Sequence, residues 1–125
     1  MTLEQRLHTL LAMTPSVSAL VAARIHPVVA PASCPTPYIV YTRVNAQRIA
    51  ALDAPTGWAR VRMQIACWAD DATAARAAAN AVRALLDGYA TADIPHVKVE
   101  AETEVFDRDV ELTGRAVDVV IMIKE

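Results

Sequence analysis

Cysteine, glycine and aromatic residues are the scarce types here, with two, three and 5% respectively, and each scarcity removes a class of function. Cys34 lies in a proline-rich stretch and Cys67 inside a strand-like pattern. Two distant thiols with no CxxC cannot build a disulfide framework. His8, His26 and His96 are scattered, so nothing has zinc-ligand spacing, and neither a metal nor a cofactor is expected. So few glycines and aromatics argue against a phosphate-cradling loop or a base-stacking platform. Charge of one sign is also missing. A formal net charge of -2 supplies no basic stripe, so contact with DNA is expected to be incidental at most. No apolar run reaches the length of a membrane span. The opening MTLEQRLHTLLAMTP makes a poor signal peptide because Glu4 and His8 interrupt it.

What is present is a globular composition. The 125 residues are 54% apolar and 21% charged, which fits a single soluble domain over residues 1–125 with a modest core. Thr2 and Gln5 match a capping box, and Leu3, Leu7, Leu10 and Leu11 recur on one helical face. Thr14 and Pro15 mark the start of a short second helix over 15–24, with Val17, Leu20 and Val21 as its apolar residues. PVVAPASCPTP, residues 27–37, reads as an irregular connector.

PYIVYTRVN then alternates Tyr38, Val40, Thr42 and Val44 against Ile39, Tyr41, Arg43 and Asn45. WARVRMQIACWAD sets Val61, Met63, Ile65 and Cys67 against Arg60, Arg62, Gln64 and Trp68. Between them Ala46–Gly57 predicts a loop longer than a hairpin needs, with Asp53, Pro55 and Gly57 as turn residues. DATAARAAANAVRALLDG predicts a helix whose buried stripe is Ala75, Ala78, Ala79, Val82, Leu85 and Leu86. Gly88 follows it as the terminating residue. HVKVEAETEVF and RAVDVVIMIKE complete the chain as two strands. The expected fold is α+β in the order α-α-β-β-α-β-β, an antiparallel four-stranded sheet with helices on one face.

QIACWADD raises the one question of catalysis. A nucleophilic Cys67 would need a nearby cation, histidine or helix start to lower its pKa. Its alternation with Val61, Met63 and Ile65 instead makes it a small buried hydrophobe. Asp70 or Asp71 is accounted for as the cap of the following helix. No catalytic residue is assigned.

The contact residues stand on two features. The polar sheet face is expected to carry Arg60, Arg62 and Trp68 from one strand and Glu100, Glu102 and Glu104 from another. Tyr41 and Arg43 are placed on the same polar side as Trp68, and tryptophan and arginine favour buried contacts. A solvated antiparallel sheet face is the plainer alternative. In the long loop, Arg48, Ile49 and Leu52 supply a cation and apolar grip.

The chain resembles the tail-completion family of long-tailed bacteriophages, small head-to-tail joining proteins similar to tail terminators. TLEQRLHTLLAMTPSVSALVAARIHPVVAP, PYIVYTRV, LDAPTG, RVRMQIACWADDATAARAAANAVRALLDG and the closing strand pair carry this likeness in order. PYIVY, the LD-x-PTG turn and the QI-x-CWAD junction are its most specific parts. The resemblance implies a structural, non-enzymatic protein of a phage, prophage or phage-like particle. It implies synthesis in the bacterial host cytoplasm and residence at the head–tail junction. There it would form a ring, typically of six, with the tail tube protein and the head–tail connector protein as partners. A ring needs heterologous contacts, which an arginine patch meeting a glutamate patch would suit. The rival reading is a small α+β ligand-binding domain or enzyme acting as a dimer, which would want convergent polar groups in a concave site.

Overall fold

A computed structural model of the chain describes residues 2–50, 52 and 55–125. Its helices begin where the caps place them. In α1, Leu3–Met13, both halves of the capping box form: the Thr2 amide donates to Gln5 Oε1 at 2.9 Å and the Gln5 amide to Thr2 Oγ1 at 3.2 Å. Leu3, Leu7 and Leu11 are buried, with Leu10 packed at the margin. α2, Pro15–Val21, starts after Thr14 with proline in its first turn, where the missing N–H is harmless. Thr14 does not cap it through its side chain; the hydroxyl donates back to the Leu10 carbonyl at 2.6 Å. Val17 and Val21 are buried and Leu20 is exposed, and the helix stops at Val21, short of the expected residue 24.

α3, Ala72–Leu86, is capped by Asp71, which accepts from the Ala74 amide at 2.8 Å. Asp70 instead accepts from the Thr36 hydroxyl at 2.8 Å. Ala75, Ala78, Ala79, Val82 and Leu86 are buried, while Leu85 is half-buried beside them. Gly88, at φ +79°, ends the helix in the left-handed conformation that glycine adopts without a Cβ penalty.

The sheet has five strands and is mixed, so the four-stranded antiparallel expectation is corrected in both respects. The strands are β1 Ile25–Pro27, β2 Tyr38–Ala50, β3 Pro55–Ala69, β4 His96–Asp107 and β5 Leu112–Lys124, in the spatial order β1-β2-β3-β5-β4. β1 runs parallel to β2 and pairs Ile25 to Pro27 with Ile39 to Tyr41; the other pairings are antiparallel. Three residues ending in proline show no alternation, which is why no strand signal appears at β1 in the sequence. β3 lies at the centre, and its Val61, Met63, Ile65 and Cys67 are fully buried against the helix leucines and valines. Residues of the opposite parity, such as Arg60, Gln64 and Trp68, are exposed or half-buried. Helices cover one face of the sheet and leave the other open.

Two of the three register shifts among the described residues of the sheet overturn the simple alternation, the third lying between Ile49 and Ala50. β2 pairs Arg43 with Met63 and then Asn45 with Arg62, so Val44 is one residue too many. β4 pairs Val99 with Val119 and then Ala101 with Asp118, so Glu100 is extra. Each insertion turns every later side chain to the other face, because the strand period is two. Asn45 therefore leaves the side of Arg43 for the open face. Glu102 and Glu104 leave the open face for the helix side.

Candidate assembly surface

The expected loop Ala46–Gly57 is for the most part a ladder. Gln47, Arg48 and Ile49 pair with Arg60, Ala59 and Trp58, and Ala50 pairs with Pro55. Asp53 and Ala54 of the proposed turn lie outside the described residues. The sequence hides this half of β2 because alanine, glutamine and arginine are poor strand signals; pairing with β3 imposes the extended form. β1 ends at Pro27, so among the described residues the outer edge of β2 has no strand partner beyond Tyr41. Every residue from Val44 to Ala50 is exposed. At the hairpin's end the Thr56 hydroxyl donates to the Ile49 carbonyl at 2.6 Å and accepts from the Trp58 amide at 3.2 Å. Lys124 Nζ stands 5.9 Å over the Trp58 ring. Ile49 is 38% exposed and Leu52 wholly exposed. The result is an arm that exposes Ile49 and Leu52 near its end.

Arg43 ties the foot of this arm to the body. Its Nε donates to Glu4 Oε1 at 2.6 Å, and its Nη1 and Nη2 donate to the two Glu125 oxygens at 2.8 and 3.2 Å. Hydrogen bonding from Arg43 holds the Glu125 carboxyl below its ordinary pKa. Arg48 Nη2 joins the same carboxylate at 3.4 Å. Tyr41 faces the helices too, only 5% exposed, with its hydroxyl 3.3 Å from His8 Nδ1. Tyr41 and Arg43 thus lie on the opposite face from Trp68, against the shared parity expected for them.

The charged residues of the sheet also divide differently. Arg62 Nη2 donates to Glu100 Oε1 at 2.7 Å on the open face. Arg60 stands near it without an ion pair among the described residues, in a shallow groove of about 370 Å³ with Asn45, Gln47, His96 and Lys98. Beyond the β4 bulge, Glu104 accepts two bonds from Arg76 of α3 at 2.9 and 3.0 Å. That pairing, with Arg115 nearby, holds the Glu104 carboxyl below its usual range. Glu102 lies 3.4 Å from Arg83 Nη1 and 3.9 Å from Arg115 Nε. The arginine–glutamate contact expected between copies is made within one copy, strand to strand and strand to helix.

A feature that sequence reasoning missed lies at the other end of the sheet. The 28–37 connector and the β4–β5 turn stand over Tyr38, Val40 and Trp68, enclosing an open hollow of about 650 Å³. Val28, Val29 and Val110 line it and are 71%, 73% and 58% exposed. The connector is held by Thr36 on Asp70, by Arg24 Nε donating to the Pro37 carbonyl at 2.9 Å, and by Cys34 Sγ 3.5 Å from His26 Nε2. Burial, then the proximity of Cys34 and Asp107, pushes the Tyr38 phenol up from its ordinary value. Trp68 lies on Gly114, the residue opposite it in β5; a Cβ there would come within 2.8 Å of the indole. A glycine inside a strand pattern signals such close approach and was the available clue.

Cys67 is not poised for covalent chemistry. Burial drives the Cys67 thiol up to about 12, the opposite of an activated nucleophile. The surfaces present grip, charge and strand edges. A search among curated proteins finds no match. Among solved structures, a chain of "Virion of native gene transfer agent (GTA) particle" superposes with a TM-score of 0.81 at 15% identity, over 98% of this chain and 95% of that one. That likeness establishes the fold. Residues 5–124 match the family described as tail completion protein gp17. The chain therefore belongs to the tail completion protein gp17 family, structural rather than enzymatic proteins of phage tails.

Proposed function

We propose that copies of this chain close into a ring, six in number, that caps the end of a tail tube and offers a docking surface to the head connector. The observation that carries the reading is the arm: Val44–Ala50 is extended and exposed, and its outer edge lacks a strand partner among the described residues. Long open strand edges invite pairing with another chain unless they are occupied in an assembly. Family membership supplies the setting, and the similar chain belongs to a virion. With many arginine–glutamate pairs already made inside the subunit, apolar contacts must carry most of the ring's stability. Exposed ion pairs add only about 0–1 kcal/mol each.

Negative-stain imaging combined with solution mass measurement tests this. Rings with a central hole and a mass of six subunits are expected at high concentration. A single-subunit mass at every concentration, with no rings in the images, would sink the proposal.

A further inference from the structure

Two apolar features outside the core lie at opposite ends of the same strands. At one end, Tyr38, Trp68, Gly114 and Val105 stand side by side across four strands, and Tyr38 and Trp68 line the hollow. At the other, Ile49, Trp58 and Lys124 stand side by side beneath the arm's tip. About 11 residues separate Tyr38 from Ile49, which at ~3.3 Å each is roughly 35 Å. An arm therefore cannot reach the hollow of its own subunit.

The features complement each other in polarity and charge. Ile49 and Leu52 are exposed apolar side chains at the arm's end, and nearby Arg60 is an exposed cation without an ion pair among the described residues. The hollow is concave and apolar, and Asp70 and Asp107 are its acidic lining residues. The adjoining turn adds Asp109 and Glu111 against the single cation Arg108. Neither feature serves the isolated subunit. Val28 holds a φ of +65°, an unfavourable conformation for a β-branched side chain, and leaves that side chain in solvent. Leu52 is wholly exposed. Complementary patches at opposite ends of one molecule make a heterologous contact, the kind that generates rings.

We infer that the arm tip of one copy, Ile49 and Leu52, seats in the hollow of the next copy, between its Val28–Cys34 connector and its β4–β5 turn. The occupant of the hollow is a second copy of this chain, and the contact rests on the ring reading above. Arg60 then faces the neighbour's Asp70 and Asp107.

The chain carries its own probe. Cys34 lines the hollow, and Cys67 is fully buried, so one substitution at the tip creates one productive pair. In L52C, mild oxidation at ring-forming concentration should give a ladder of covalent oligomers on a non-reducing gel, because a disulfide forms only when the Cα atoms approach to about 4.4–6.8 Å. The ladder should vanish in L52C combined with Cys34→Ser. Separately, Leu52→Asp should raise the concentration needed for ring formation at least tenfold. Rings that form without a Cys34-dependent crosslink overturn the seat while leaving the ring standing, whether or not Leu52→Asp weakens them. Crosslinks that persist after Cys34→Ser mean tip meeting tip, and overturn it too. Absence of any self-association overturns the ring and this contact together.

Discussion

β2 is two strands in one. From Tyr38 to Arg43 it has a neighbour on its outer side over Ile39–Tyr41 and turns Ile39 and Tyr41 into the core. From Val44 to Ala50 it keeps β3 on the inner side, has no outer strand among the described residues and turns no side chain into the core. The backbone geometry is alike in both halves, yet only the first is stabilised by apolar burial. An ordered ladder whose side chains do nothing for its own core points to a use outside the subunit. The bulge at Val44 marks the boundary, and Arg43 anchors it through Glu4 and Glu125.

Four perturbations sharpen that contrast, ranked by expected loss of stability. Removing volume from the core that the first half of β2 joins should cost most. Ile65→Ala or Leu86→Ala should lower unfolding free energy by about 2–5 kcal/mol in denaturant melts, and half-buried Leu85→Ala by clearly less. Equal losses at Leu85 and Leu86 would place the helix in a different phase. Next comes the boundary. Arg43→Met should cost about 1 kcal/mol, because the ion pairs it breaks are partly exposed. Its signature is in pH. Glu125 has a depressed folded pKa, so its contribution is fully present above the ordinary value of 4.5 and is lost as pH falls through the folded value. The melting temperature of the parent should therefore fall below pH 4.5 more steeply than that of Arg43→Met.

A smaller effect is expected at the solvent-exposed pair on the helix side. Arg76→Gln should leave neutral-pH stability nearly untouched while returning Glu104 toward its ordinary pKa, measurable by carboxyl NMR titration. An unchanged Glu104 titration would remove Arg76 as the cause. The smallest stability change belongs to the arm. Ile49 and Trp58 are paired, so residues 50–57 can be replaced by Asn-Gly as a two-residue hairpin. The melting temperature should stay nearly the same, since closure entropy varies slowly with loop length. Ring formation should nonetheless fail. Rings assembling as readily as in the parent would reduce the arm to a connector.

Much was legible in the residues themselves. The Thr2–Gln5 box, Asp71 before α3, Gly88 after it and the alternation of β3 are local patterns, set by neighbours within four positions, and they survive folding unchanged. The nature of Cys67 followed from the same alternation. Candidate contact residues fared unevenly because their faces depend on partners. Arg60, Arg62, Trp68 and Glu100 do lie on the open face, whereas Tyr41, Arg43, Glu102 and Glu104 lie on the helix side. The cause in β4 is one unpaired residue. Glu100 looks like any other member of HVKVEAETEVF, and only the register against β5 makes it a bulge. The paired status of Gln47–Ile49, the parallel strand β1 and the hollow have the same origin. Each joins segments distant in sequence, and each is stabilised by a neighbour rather than by its own composition. Local chemistry determined which segments are helix and strand and where the helices start and stop. Pairing across the sheet decided which way their side chains face, because a single inserted residue reverses a strand and no short-range signal in this chain records it.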